Sequence, residues 1–195
     1  MQLKRDDALV LMREYTQNEN LRRHMYAVEA AMRAYARKYG EDENLWGITG
    51  LLHDFDYERW PNHDRKPDEE HPTSGVTILR EQGYPEEMLE AIMGHADHTG
   101  FPRERVMAKT LYAVDELTGF ITACSLVRPT GITDLKVKSV KKKLKDPSFA
   151  RGVDRDEVNK GISELNVDFS EHVQFVIEAM KEIQGELGLA GDQGN

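Results

Sequence analysis

Apolar side chains recur along most of the chain every three or four residues, the spacing that places them on one face of an α-helix. The pattern is clearest over residues 20–39, where Asn20 is suited to cap the start of the helix and Gly40 to end it. Residues 43–54 form a second apolar segment with a His-Asp pair at its C-terminal end. No segment of useful length alternates as a half-buried strand does, so the sequence predicts an all-α helical bundle.

The rest of the chain continues the helical pattern with one interruption. Residues 55–70 are polar and broken by two prolines, which predicts a loop over a site. No internal repeat or linker divides the chain, so we expect one domain over residues 1–195, with a core at about 20–126 and a helical extension at about 127–187. Further helices are expected over residues 71–83, 85–95, 103–127, 154–165 and 170–187.

The composition narrows the class of protein. Of the 195 residues, 39% are hydrophobic and 31% are charged, an ordinary balance for a globular protein. No stretch approaches a membrane span, and the N-terminal MQLKRDDALVLMREY does not resemble a secretory signal, so we expect a cytoplasmic protein without membrane contact. The single cysteine, Cys124, excludes an internal disulfide and a thiolate-rich zinc site. Any metal must therefore be held by nitrogen and oxygen.

The net charge of −9 argues against general nucleic-acid binding, which depends on a surplus of Lys and Arg. Small-molecule or metal chemistry fits this charge better. The exception is residues 136–145, which contain six lysines. This run is either a solvated face or, if it folds back over a pocket, a place where Lys136 and Lys138 attract an anionic substrate. Arg22 and Arg23 are also candidates for binding a phosphate, although one of them must face solvent.

The positions of the histidines and aspartates suggest metal chemistry. Imidazole and carboxylate are natural ligands for divalent iron, manganese, nickel, cobalt or zinc. His53 and Asp54 follow the apolar run GITGLL, where two ionisable side chains are costly unless something satisfies them. Asp115 lies on a helix face of apolar and small residues with no basic residue one turn away, which favours a metal over a buried ion pair.

Five short motifs carry a family resemblance: LRRHMYAVEAAM, GLLHDFDYE, HPTSG, AIMGHADH and AVDELTGF. They resemble those of the HD-domain superfamily of metal-dependent phosphohydrolases, and more narrowly its HDIG-type bacterial members. The resemblance covers about residues 20–126. It implies that one metal is held by His24, His53, Asp54 and Asp115. It also implies that His71 and His95 hold a second metal, with Asp54 as the bridge and His98 as a weaker candidate.

Each site residue also has a simpler interpretation. His24 alone would more often be a hydrogen-bonded core histidine, and Asp115 alone an ion-pair partner. His71 could merely cap a helix and His95 merely end one. His63 and His172 are predicted to be surface residues, and Asp97 and His98 to lie on a loop.

The resemblance implies hydrolysis of a phosphoester of a nucleotide or similar small molecule, with one or two divalent ions as cofactor. Hydroxide generated at the metal would attack phosphorus while Asp54 positions it. Asp56, Glu58 or a histidine behind the ligands is expected to act as general acid, and the loop at 56–70 to close over substrate. Two alternatives remain open: a di-iron oxygenase on the same ligands, and an inactive nucleotide-binding signalling module. The protein could also form a homodimer.

Overall fold

The computed structural model describes residues 3–191, and these residues form nine α-helices and one short 3₁₀ helix at Asp97–Thr99, without a β-strand. The predicted all-α class is therefore confirmed. Within the described residues, no helix is both long and apolar enough to cross a membrane. The α-helices are α1 (Arg5–Tyr15), α2 (Glu19–Tyr39), α3 (Glu43–Leu52), α4 (Thr73–Glu81), α5 (Glu86–Gly94), α6 (Val106–Leu126), α7 (Val137–Leu144), α8 (Arg155–Leu165) and α9 (Phe169–Glu182).

Helices α2 and α3 pack against each other, and their caps set where the candidate ligands lie. The cap of α2 is Asn18, whose side chain accepts hydrogen bonds from the backbone N–H groups of residues 20 and 21, so the prediction of Asn20 as the cap is wrong. Gly40 ends α2 in the left-handed region with φ 73°, as predicted. Helix α3 ends at Leu52, two residues before the predicted end, and this leaves His53 and Asp54 just beyond it.

Two helices were not predicted from the sequence. Helix α1 packs on α3 through an apolar face that includes the buried Leu11 and Met12. Helix α7 contains most of the lysine-rich run, and Val140 is its one fully buried residue. Because the lysines of α7 are mostly exposed, the run is a solvated helix face.

Helix α6 lies at the centre of the bundle, in contact with α2, α5, α7, α8 and α9. Helix α8 approaches it at Gly161, where an added Cβ would lie 2.7 Å from the Cα atom of Ala113. A glycine is thus needed for this close approach. At the start of α8 the backbone N–H of Asp154 donates to Glu116, the neighbour of Asp115 on α6.

His172 on α9 is buried, so the prediction that it lies on the surface is wrong. The hydroxyl of Tyr35 donates a hydrogen bond to its Nδ1 atom, and its Nε2–H group donates to the carbonyl oxygen of Ala113 at 3.0 Å. Both ring nitrogens are satisfied with the imidazole neutral, which explains how this polar side chain is accommodated in the core.

Acid is expected to destabilise the protein through His172. Burial lowers the pKa of this imidazole to about 4, compared with 6.5 for the free side chain. The unfolded chain therefore binds a proton that the folded chain does not, and stability is lost as the pH falls from 6.5 towards 4. At pH 5 the loss from this group is about 2 kcal/mol.

Urea denaturation of the wild type and of His172→Gln at pH 8 and pH 5 measures this contribution. The variant should be the less stable protein at pH 8, and the difference should shrink by about 2 kcal/mol at pH 5. A difference that is the same at both pH values would show that His172 is not the group responsible.

Candidate metal centre

Three helices bring four of the predicted ligands together. His24 lies in the second turn of α2, His53 and Asp54 follow α3, and Asp115 lies in the middle of α6. The Oδ1 atom of Asp115 is 2.9 Å from Nε2 of His24 and 3.4 Å from Nε2 of His53. The Oδ2 atom of Asp54 is 3.7 Å and 3.5 Å from the same two nitrogen atoms. These four side chains form the first ligand group.

His71 and His95 form a second group on the other side of Asp54. Their Nε2 atoms are 3.2 Å apart, and each is 3.4 Å from Oδ1 of Asp54. The carboxylate of Asp54 thus directs one oxygen towards each group. This is the arrangement expected of a ligand shared between two ions.

The spacing of the donor atoms fits a divalent transition metal. Ligand atoms about 2.1 Å from one ion, at tetrahedral or octahedral angles, are roughly 3.0 to 3.4 Å from one another. Most of the distances above lie in or near this range. In addition, Nε2 of His53 is fully buried and has no hydrogen-bond partner among the described residues. A buried polar atom of this kind is costly unless it is satisfied, and a cation between it and the carboxylates would satisfy it.

The other nitrogen of each of three histidines is already engaged. Nδ1 of His53 donates to the carbonyl oxygen of Gly50 at 2.8 Å, and Nδ1 of His95 donates to that of Ile92. Nδ1 of His71 lies 2.8 Å from Oδ1 of Asp56. Because a carbonyl oxygen only accepts, Nδ1 of His53 and His95 must carry the proton. Their Nε2 lone pairs are then free to bind a metal, which is how ligand histidines are usually oriented.

The carboxylates of the first ligand group also favour a positive charge between them. Burial by itself would lower the pKa of His53, but Asp54 and Asp115 raise it to about 9. Burial opposes a charge on Asp115, yet His53 and His24 hold the pKa of this carboxyl well below its usual value. Two carboxylates this close to each other need a cation, either imidazolium or a bound metal ion.

Two of the predicted catalytic carboxylates have other partners. Asp56 is buried; one of its oxygens contacts His71, and the other accepts the N–H of Gly75 at 2.7 Å. Glu58 accepts the backbone N–H groups of residues 17 and 18 at 2.8 and 2.9 Å. Neither lines the cavity in front of the ligands. The geometry therefore gives Asp56 the role of orienting His71 and offers no support for Glu58 as general acid.

Gly75→Ala is expected to disturb the second ligand group while sparing the first. An added Cβ would lie 2.7 to 2.9 Å from the carboxylate atoms of Asp56, which is enclosed and cannot easily move. Displacing this carboxylate would release His71. Metal analysis should then show a lower metal content than in the wild type, with affinity reduced by about 10- to 100-fold at the affected position. Gly185→Ala is the control, since no atom lies within 4 Å of its added Cβ and it is remote from the lining of the cavity. Equal metal content in Gly75→Ala and the wild type would contradict this prediction.

A cavity of about 460 Å³ opens in front of the ligands, a size usual for small-molecule sites. Residues not predicted from the sequence contribute to its lining, among them Arg65, Glu116 and Glu157. Glu116 follows Asp115 directly, so its place beside a predicted ligand could have indicated that it lies near the cavity. Arg65 and Glu157 offered none, because only the folding of the loop and of α8 brings them to the cavity.

The four predicted substrate-binding residues do not line this cavity. The guanidinium of Arg22 donates to the carbonyl oxygen of Thr16 at 2.7 Å and pairs with Glu19, so it supports the start of α2. Arg23 lies beside Gly188. Lys136 and Lys138 line a separate surface depression. The geometry thus gives no support to phosphate binding by these residues at the candidate metal centre.

Two further histidines, His63 and His98, and Asp97 contribute to the lining of the cavity. His63 is exposed, as predicted, and lines the cavity together with His98. Nε2 of His98 contacts the side chain of Asn62, so His98 belongs to the loop contacts and not to either ligand group. Asp97 begins the short 3₁₀ helix and pairs with Arg103.

Comparison with known proteins agrees with this geometry. Residues 21–115, just under half of the chain, match the family model described as the HD domain. The match supports the resemblance of this chain to the HD-domain superfamily, whose members are generally metal-dependent hydrolases. Neither the search of curated proteins nor the search of solved structures gave a match.

Proposed function

We propose that this protein is a metal-dependent phosphohydrolase that cleaves a phosphoester of a nucleotide or of a similar small phosphorylated molecule. The observation that carries the proposal is the position of Asp54, whose two oxygens face two separate histidine groups. The HD-domain match over residues 21–115 supports the same class of activity.

Some residues of the site would hold metal ions, and others orient these ligands. His24, His53, Asp54 and Asp115 would hold one ion. Asp54, His71 and His95 would hold a second. Ions bound there would supply two things, a lowered pKa of water and neutralisation of phosphate oxygens. Gly50, Ile92 and Asp56 keep the imidazoles directed at Asp54.

The test is phosphate release by protein loaded in turn with manganese, iron, cobalt, nickel or zinc. The substrates are p-nitrophenyl phosphate, bis-p-nitrophenyl phosphate and a panel of nucleotides. We expect release with at least one metal, and unchanged activity in Glu58→Gln, whose carboxylate lies outside the cavity. A protein that holds its full metal content and releases no phosphate from any of these esters would contradict the proposal.

The same nitrogen and oxygen ligands also suit a pair of iron ions, so the assay includes an arm for the oxygenase alternative. Protein loaded with iron under anaerobic conditions is exposed to oxygen with and without each ester. Oxygen consumption that depends on substrate, without phosphate release, would favour the oxygenase over the hydrolase.

A further inference from the structure

Basic side chains are scarce in the lining of the cavity. Besides the ligands, Asp97, Glu116 and Glu157 contribute to the lining, and Arg65 is the one Lys or Arg among the described residues that does so. Asp97 is already paired with Arg103 and Lys160. Such a cavity offers a phosphate a single cationic side chain in addition to any bound metal.

Arg65 has no partner within the part of the chain that the structure describes. Its guanidinium forms no hydrogen bond and no ion pair there, whereas its neighbour Lys66 pairs with Glu69 at 2.7 Å. The five N–H donors of Arg65 are therefore available to a ligand. A planar guanidinium matches two oxygens of a phosphate better than an ammonium does.

The loop that carries Arg65 is held in place by one buried side chain. The Nδ2 atom of Asn62 lies 2.8 to 3.0 Å from the carbonyl oxygens of Lys66, Glu69 and His71. Its Oδ1 atom accepts the N–H of Lys66 at 2.9 Å. Asn62 and Arg65 both adopt left-handed backbone conformations, with φ values of 47° and 51°. Such conformations persist when surrounding contacts fix them, so Arg65 is presented at the cavity from a defined loop.

We propose that Arg65 binds the phosphate of the substrate, and that the substrate is a phosphate monoester carrying a single phosphate group. The inference rests on the proposed function and narrows it to a substrate class. One guanidinium can bind one phosphate, and the described lining holds no second Lys or Arg for a further phosphate. The negative charge of additional phosphates would therefore enter the cavity unbalanced, which disfavours nucleoside triphosphates and other polyphosphates.

The first test measures binding of inorganic phosphate to metal-loaded protein by calorimetry. Arg65→Gln should weaken binding by about tenfold to hundredfold, because hydrogen bonds between charged groups are lost. Its metal content should equal that of the wild type. Lys66→Gln is the matched control, since it removes the adjacent positive charge from a side chain outside the lining, and it should change binding by less than about twofold. Wild-type phosphate affinity in Arg65→Gln would overturn the proposal.

The second test compares a nucleoside monophosphate with the corresponding triphosphate. The wild type should show the higher kcat/KM for the monophosphate, and Arg65→Gln should raise the KM for it more than it lowers kcat. Equal or better turnover of the triphosphate would overturn the single-phosphate assignment. If the wild type hydrolyses no ester but Arg65→Gln still loses phosphate binding, the proposed hydrolase function fails and the role of Arg65 in binding stands.

Discussion

Asp54→Asn is expected to remove bound metal from both ligand groups and to reduce phosphate release by about three orders of magnitude or more. A bound divalent ion provides several kcal/mol of transition-state stabilisation, and each 1.4 kcal/mol or so corresponds to a factor of ten in rate. Among the described residues, Asp54 is the one carboxylate that faces both histidine groups, so its replacement by an amide would weaken metal binding at both. The measurements are metal content and the rate of phosphate release.

The fold of the Asp54→Asn variant should persist, because Asp54 lies beyond the end of α3 and contributes no helix cap. Circular dichroism is the check on folding, and Glu58→Gln is the control for losing a carboxylate from the same loop. If Asp54→Asn keeps the metal content and activity of the wild type, Asp54 is not shared between two ions.

Removal of metal by a chelator is expected to lower the melting temperature by roughly 8 to 16 °C. A ligand at about a thousand times its Kd stabilises a protein by about 4 kcal/mol, and each kcal/mol is worth roughly 2 to 4 °C in a chain of this size. The physical reason lies in the buried Nε2 atom of His53 and the neighbouring carboxylates of Asp54 and Asp115, which a bound ion would satisfy together.

Differential scanning calorimetry with EDTA, followed by re-addition of the metal, measures this effect. Re-addition should restore the melting temperature. The Asp54→Asn variant provides the matched control, because it should respond weakly to the chelator. A wild-type protein whose melting temperature is indifferent to EDTA would show that no bound ion supports the fold.

The sequence predicted the main helices because their apolar faces and caps are local features. Gly40 and the end of α3 illustrate this, with boundaries within two residues of the structure. Helix α7 was missed because its one buried residue, Val140, is too weak a periodic signal among the lysines. The burial of His172 was missed because its partners, Tyr35 and Ala113, are distant in the sequence.

The same distinction between local features and long-range contacts applies to the candidate site. Asp54 and the five other side chains named as ligands from the motifs do form one cluster, although their role in binding metal stays a prediction. The residues that line the cavity for a substrate could not be predicted from the sequence. Nothing local distinguishes Arg65, which reaches the cavity, from Arg22, which supports the start of α2. The difference arises from the path of the loop that Asn62 holds.

Anomalous X-ray diffraction from crystals of the metal-loaded protein, collected on both sides of the absorption edge of the metal, locates each bound ion. We expect one peak among His24, His53, Asp54 and Asp115, and a second between Asp54, His71 and His95. Anomalous peaks elsewhere, with none beside Asp54, would show that these side chains are not the ligands.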